Sequence, residues 1–150
     1  MALSNADELL DFAIQGEQEA HDFYIDLADR VERPAMKKLL KQFAREEAGH
    51  KKKLENIKKG SASFPYADAV VDLKIADYLV EVEPTGDLTY QEALILAMKR
   101  EKAAFKLYTD LAALTADKDL KLVFRSLAQE EAKHKLRFEL EYDDKVLSEN

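Results

Sequence analysis

Four glutamates and two histidines fall on the apolar seams of four helical patterns, and the two halves of the chain place them alike. "FAREEAGH" (Phe43–His50) returns as "LAQEEAKH" (Leu127–His134), so Glu47 and His50 recur as Glu131 and His134, each 84 positions on. The same offset lays "GEQEAHDFYIDLA" (Gly16–Ala28) over "REKAAFKLYTDLA" (Arg100–Ala112). Glu17 then meets Glu101, Tyr24 meets Tyr108, and Asp26, Leu27 and Ala28 meet Asp110, Leu111 and Ala112. One register that matches two separated segments without a gap implies a duplicated helical hairpin.

The periodicity is that of a bundle. Leu10, Ala13, Glu17, Ala20, Tyr24, Leu27 and Val31 follow alternating steps of three and four, the inner stripe of an amphipathic helix. Met36, Leu40, Phe43, Glu47, His50, Leu54 and Ile57 do the same, as do Leu94, Ala97, Glu101, Ala104, Tyr108 and Leu111. Leu120, Phe124, Leu127, Glu131, His134 and Phe138 complete the set. Each stripe is apolar except near its middle. Capping chemistry predicts the boundaries: Ser4 or Asn5 opens the first helix, Pro34 the second, Asp87 or Thr89 the third and Asp117 the fourth, with Gly60 ending the second. Each helix is then about 26 residues long, or ~39 Å.

The short turns "VERP" and "TADKD" make each pair an antiparallel hairpin. The stretch from Lys59 to Gly86 is too long for a tight turn; it is read as a crossover running the height of the bundle, with a short helix in "DLKIADYLVEV". In an antiparallel pair, residues equidistant from the turn share a level. Glu17 lies 16 positions before Arg33, and Glu47 and His50 lie 14 and 17 after it. Glu101 lies 16 before Asp117, with Glu131 and His134 again 14 and 17 after. All six side chains are thus expected to point inward at one level.

Composition narrows the class. At 150 residues the chain is read as one domain spanning 1–150, all-α, and large enough for a real core. Four Gly and three Pro leave few turns, which suits long helices. The absence of Cys excludes disulfides, thiolate metal sites and thiol nucleophiles. A net charge of −7 argues against a nucleic-acid partner. No apolar run is long enough for a membrane span, and "MALSNADELLD" is too acidic for a signal peptide, so the expected location is the cytoplasm.

Four carboxylates in an apolar interior cost many kcal/mol in desolvation and repulsion. Protons relieve part of this by raising the pKa values of all four. Two divalent cations relieve it more fully, since four positive charges balance four negative ones. Glu-x-x-His sets a carboxylate and an imidazole on adjacent turns of one helix face, where both can reach one ion. Mixed oxygen and imidazole ligation suits iron or manganese, and zinc also binds such a set.

With two Glu-x-x-His motifs, each paired with an in-register seam Glu, the sequence resembles the rubrerythrin-type, ferritin-like di-iron carboxylate family over all four helices. That resemblance implies a ferritin-like antiparallel four-helix bundle and a centre of two iron ions. Its expected ligands are Glu17, Glu47, His50, Glu101, Glu131 and His134, with Glu47 and Glu131 bridging and Glu17 and Glu101 terminal. Two departures stand out. Two-domain rubrerythrins carry four cysteines in a rubredoxin domain; with none here, the electron donor is expected to be a separate protein, rubredoxin-like or a flavin reductase. Those relatives also have a further Glu one turn after the third-helix ligand, where this chain has Ala104 opposite Ala20 of the first repeat. The resemblance further implies a homodimer.

Other residues are expected to play lesser parts. Glu46 and Glu130 sit one step off the seam, facing solvent or a helix neighbour. His21, whose repeat partner is Phe105, is read as a packing residue at the seam edge. Tyr24 and Tyr108 rise two turns beyond their glutamates, so packing is expected, with a hydrogen bond to a ligand carboxylate as the alternative. Lys51, Lys52 and Lys53 read as a solvated face, and Tyr78, Leu79 and Val82 as a cover for the bundle or a partner. Three functions fit: reduction of hydrogen peroxide or dioxygen at a di-iron centre, iron handling without a cage, and a metal-stabilised interaction module.

Overall fold

The computed structural model describes residues 2–60, 75–80 and 88–149. It is all-helical, with α1 (Ala2–Arg30), α2 (Pro34–Gly60), α3 (Tyr90–Leu114) and α4 (Lys118–Glu149), and a 3-10 turn at Ile75–Tyr78 between the hairpins. Cross-helix pairs give the directions. As α1 is followed through Asp11, Gln18 and Tyr24, its neighbours on α2 run backwards through Lys58, Lys51 and Phe43. On α3 and α4, Tyr90 reaches Glu141 while Glu101 lies beside His134. The hairpins meet chiefly where α1 faces α3, and these two are antiparallel as well, since Tyr24 bonds Glu101 and Tyr108 bonds Glu17. The end of α2 and the start of α3 must therefore lie at opposite ends of the bundle, so the crossover returns the full height, as expected of a ferritin-like bundle.

Local chemistry explains the boundaries. Pro34 opens α2, where a missing N–H costs nothing. Thr89 caps α3 in a reciprocal box: its hydroxyl accepts from the N–H of Glu92, whose carboxylate accepts from the N–H of Thr89. Asp117 caps α4, its Oδ1 accepting from the N–H groups of Asp119 (2.8 Å) and Leu120 (3.1 Å). The first helix departs from expectation, because it begins at Ala2 and takes in Ser4 and Asn5. Ala2 and Leu3 are strong helix formers, and extending the backbone ladder through them outweighs one cap. Within the crossover the 3-10 turn replaces the expected helix among the described residues; Val82 and the rest of that segment lie outside them. Tyr78 is buried and donates to Asp110 Oδ2 at 2.8 Å, which ties the crossover to α3, while Leu79 is exposed.

The core is split in two. One apolar cluster contains Leu9, Leu10, Leu54, Leu111, Phe124 and Leu127, and the other Leu27, Met36, Leu40, Phe43, Leu94 and Phe138. Between them lies the level of the six seam Glu and His residues. The repeat exchanges the clusters: Leu10 matches Leu94, Leu40 matches Phe124, and Leu54 matches Phe138. Each fully buried Leu or Phe is worth roughly 1.5–3 kcal/mol, and both clusters are needed to hold the polar layer shut.

Removing the α4 cap should be felt. Asp117→Ala should lower stability by about 1 kcal/mol, read as a lower urea midpoint with an unchanged slope. An unmoved midpoint would mean that packing alone fixes the start of α4.

Candidate metal centre

Glu17 comes from α1, Glu47 and His50 from α2, Glu101 from α3, and Glu131 and His134 from α4. The six residues that the seam phase places on one level do meet, and each is at most 3% exposed. They form two overlapping groups able to hold a metal ion: Glu17, Glu47, His50 and Glu131, and Glu47, Glu101, Glu131 and His134. Glu47 and Glu131 belong to both. His50 Nδ1 lies 3.2 Å from Glu17 Oε2, 3.3 Å from Glu47 Oε1 and 3.5 Å from Glu131 Oε1. His134 Nδ1 lies 3.4 Å from Glu47 Oε1, 3.4 Å from Glu131 Oε1 and 3.6 Å from Glu101 Oε2.

These atoms crowd together with no hydrogen bond among them. Glu17 Oε2, Glu47 Oε1, Glu101 Oε2, Glu131 Oε1 and both Nδ1 atoms are buried, and none has a hydrogen-bond partner among the described residues. A buried polar atom left unpaired costs about 1–3 kcal/mol, more if charged, so six at one place need a common partner. Metal–ligand bonds of ~2.0–2.2 Å set neighbouring ligands roughly 3 Å apart, close to the spacings seen. The donor set fits divalent metal.

The outer atoms are supported crosswise. Tyr108 donates to Glu17 Oε1 at 2.7 Å, and Tyr24 donates to Glu101 Oε1. Glu17 and Glu101 thus each give one oxygen to a phenol of the other repeat and turn Oε2 towards the centre. Both tyrosines pack in the core as well, at 1% exposure, so the two alternatives for them coexist. Their reach follows from the backward lean of helical side chains, which brings a residue two turns on back towards the level of the glutamate.

Glu46 and Glu130 face a helix neighbour, the second of the two settings expected, and that neighbour is a histidine of the cluster. Both are part-exposed, yet Glu46 Oε2 is 3.3 Å from His134 Nε2 and Glu130 Oε2 is 3.2 Å from His50 Nε2. The His134–Glu46 contact has hydrogen-bond geometry, whereas that of His50 and Glu130 is off-line. A carboxylate behind an imidazole fixes its tautomer and leaves the inner nitrogen free to ligate. One step off the seam on α2 is towards α4, and the reverse, which the helical phase of a single helix does not reveal. Phe43 also stacks on His134, with centroids 4.0 Å apart. His21 stays outside the cluster, part-exposed and 2.9 Å from Asp22 Oδ1. Lys51 is less solvated than expected, since it bonds Gln18 Oε1 at 2.8 Å.

A cavity of about 370 Å³ opens on the other side, between α1, α3 and the 3-10 turn, and touches Glu17, Glu47, Glu101 and Glu131 but neither histidine. The carboxylates face this space, and the imidazoles back onto the α2–α4 side.

Without metal, three of the four carboxyls are raised as expected and one departs. Burial, then the Glu47 charge, raises Glu17. The same two causes lift Glu101 to about 7, and burial with the charges of Glu101, Glu17 and Glu47 pushes Glu131 well up. Glu47 goes the other way: burial would raise it, but the His134 and His50 imidazoles outweigh that and hold it at about 2. Burial would lower both histidines, yet Glu17 and Glu47 lift His50, and Glu101 and Glu47 lift His134, each to about 10. One carboxylate between two imidazolium groups is the anchor of the metal-free layer.

The sign of the pH dependence follows. The contribution of Glu101 is full below about 4.5 and lost as pH rises through about 7, and that of the histidines is full below about 6.5 and lost through about 10. The contribution of Glu47 is present above about 4.5 and lost as pH falls towards 2. Metal-free protein should therefore be most stable near pH 4.5 and weaken in both directions, whereas metal-loaded protein should weaken mainly on the acid side, where protons displace metal. Urea melts of both forms between about pH 3 and 9 check this; parallel profiles would contradict a shared site.

Comparison with known proteins agrees with the geometry. The rubrerythrin family model matches residues 8–142. A solved structure from Pyrococcus furiosus, described as a hypothetical protein, is similar at 26% identity with a TM-score of 0.71, covering 91% of this chain and 87% of that one. No curated protein matches. No helix among the described residues is long and apolar enough to cross a membrane. With the family match covering nearly the whole chain and the buried Glu and His cluster at its centre, the chain belongs to the rubrerythrin family.

Proposed function

We propose that the centre holds two iron ions and that the protein is an oxidoreductase reducing hydrogen peroxide or dioxygen with electrons from a separate donor protein. The observation that carries this reading is the set of six buried, mutually unbonded ligand atoms in two groups sharing Glu47 and Glu131. When bound, the iron pair supplies the two-electron redox chemistry that no side chain of this Cys-free chain can. Manganese or zinc would fit the same donors.

The side chains have distinct tasks in this proposal. Glu47 and Glu131 would bridge, Glu17 with His50 would complete one ion, and Glu101 with His134 the other. Tyr24 and Tyr108 keep their protons, because burial and the neighbouring carboxylates raise both phenols far above their ordinary value. Each therefore remains a donor to Oε1 and orients Oε2 inward. Glu46 would hold the His134 imidazole from behind through its hydrogen bond, and Glu130 stands in the matching place beside His50. The cavity admits the oxidant from the carboxylate side. A rubredoxin-like protein or flavin reductase would deliver electrons in the cytoplasm. A homodimer belongs to the same proposal, with exposed Leu122, Leu136 and Leu140 on α4 as apolar area for it.

Anaerobic ferrous titration of metal-free protein should plateau at about two ions per chain, followed by peroxide-dependent oxidation of a supplied reductant. A plateau at one or none would sink the dinuclear reading. Glu47→Ala should abolish the second ion and turnover together.

The crossed carboxylates make a separate prediction. Glu46→Ala and Glu130→Ala should each weaken metal binding by about 10–100-fold. The measurement is competition against a chelator of known affinity. Unchanged affinity in both variants would return these residues to the solvent-facing role their helical phase suggests.

A further inference from the structure

The cavity over the carboxylate layer is far larger than either small oxidant needs. Its volume is about 370 Å³. A dry cavity of ~150 Å³ holds benzene, with six heavy atoms, so this one has room for roughly fifteen. Hydrogen peroxide and dioxygen have two each. The inner wall is small and apolar, with Ala13, Ala20, Ala104 and Leu107 beside Phe12, and a Cβ placed on Gly16 would meet nothing within 4 Å. Polar groups lie towards solvent, where Gln15 and Glu19 are exposed and Arg100 is part-exposed. The cavity is thus apolar along its sides, with a polar mouth and a floor of four buried carboxylates. Such walls give ordered water few partners, and they match a molecule with an apolar body and one polar end.

We infer that this cavity binds the apolar body of an organic hydroperoxide and presents its O–O end to the carboxylate layer. The inference rests on the redox function proposed above. The reaction is a two-electron reduction: the O–O bond breaks, the outer oxygen leaves as water, and the inner one stays on carbon as an alcohol. Two protons and two electrons enter, the electrons from the separate donor protein. The alcohol product keeps the apolar body, so it should occupy the same cavity.

The product gives a test that does not depend on turnover. Metal-free protein is titrated with cumyl alcohol, the product from cumene hydroperoxide, and methyl resonances are followed by NMR. Saturable shifts at Ala13, Ala20, Ala104 and Leu107 are expected. The absence of saturable shifts, or shifts confined to the exposed leucines of α4, would overturn the inference. This mapping uses the unaltered chain and survives any folding defect in a variant. Gly16→Leu and Ala104→Leu, which fill the space, should each weaken binding by about tenfold or more. In iron-loaded protein, Ala104→Leu should lower kcat/KM for cumene hydroperoxide relative to hydrogen peroxide by a similar factor.

The two readings fail differently. Hydrogen peroxide turnover without alcohol binding or cumene hydroperoxide reduction removes this inference and leaves the proposed function standing. Alcohol binding with no peroxide reduced at all removes the function, and the hydroperoxide as its substrate with it.

Discussion

Four carboxylates packed at one level of an apolar bundle form the constraint on which the rest of the molecule depends. Their mutual repulsion in a low-dielectric interior opposes folding, and the fold answers it in two ways. Leu and Phe clusters close the bundle on both sides of the layer. The two imidazoles bring positive charge into the layer itself, centred on Glu47. A pair of divalent ions would complete the neutralisation that the imidazoles only begin. In this chain, then, stability and the proposed metal binding draw on the same six side chains.

Support for those side chains comes across the repeat, not from within it. Tyr24 of the first half bonds Glu101 of the second, and Tyr108 returns the bond to Glu17. Glu46 stands behind His134, and Glu130 behind His50. Each hairpin carries half of the six buried donors and the supports just named for the other half. The antiparallel pairing of α1 with α3 makes these exchanges possible, and it also requires the full-height crossover.

What the sequence disclosed was whatever lies along one helix or is mirrored by the repeat. Seam phase placed Glu17, Glu47, His50, Glu101, Glu131 and His134 together, because period and turn position suffice to set an inward level. Thr89 and Asp117 were legible because a cap acts within three residues. Glu46 and Glu130 were legible only as facing solvent or a helix neighbour, because which neighbour, and that it is a histidine, is not known until the next helix is placed. Tyr24 and Tyr108 were half legible: their burial follows from the stripe, while their reach depends on side-chain lean and on which helix lies opposite. The cavity was hidden for a different reason. A run such as Gly16, Ala20 and Ala104 reads equally as close helix packing or as open space, and only the separation of the helices decides.

The symmetry of the centre is broken where selectivity matters. Phe43 stacks on His134, while its repeat counterpart is Leu127, so the two imidazoles have different walls. Gly16 matches Arg100, and both line the same cavity, one as an opening and the other as a cation near the mouth. Tyr78, from the crossover, has no counterpart in the repeat and closes one side of that space while bound to Asp110. The six Glu and His donors themselves follow the repeat and are common to both halves. The walls of the cavity follow it only in part, since Ala20 and Ala104 match while Gly16 and Arg100 do not, and Tyr78 comes from the segment that joins the halves. The positions that the two halves share thus set which donors can be held, and the positions where they differ, with the joining segment, set much of what can approach them.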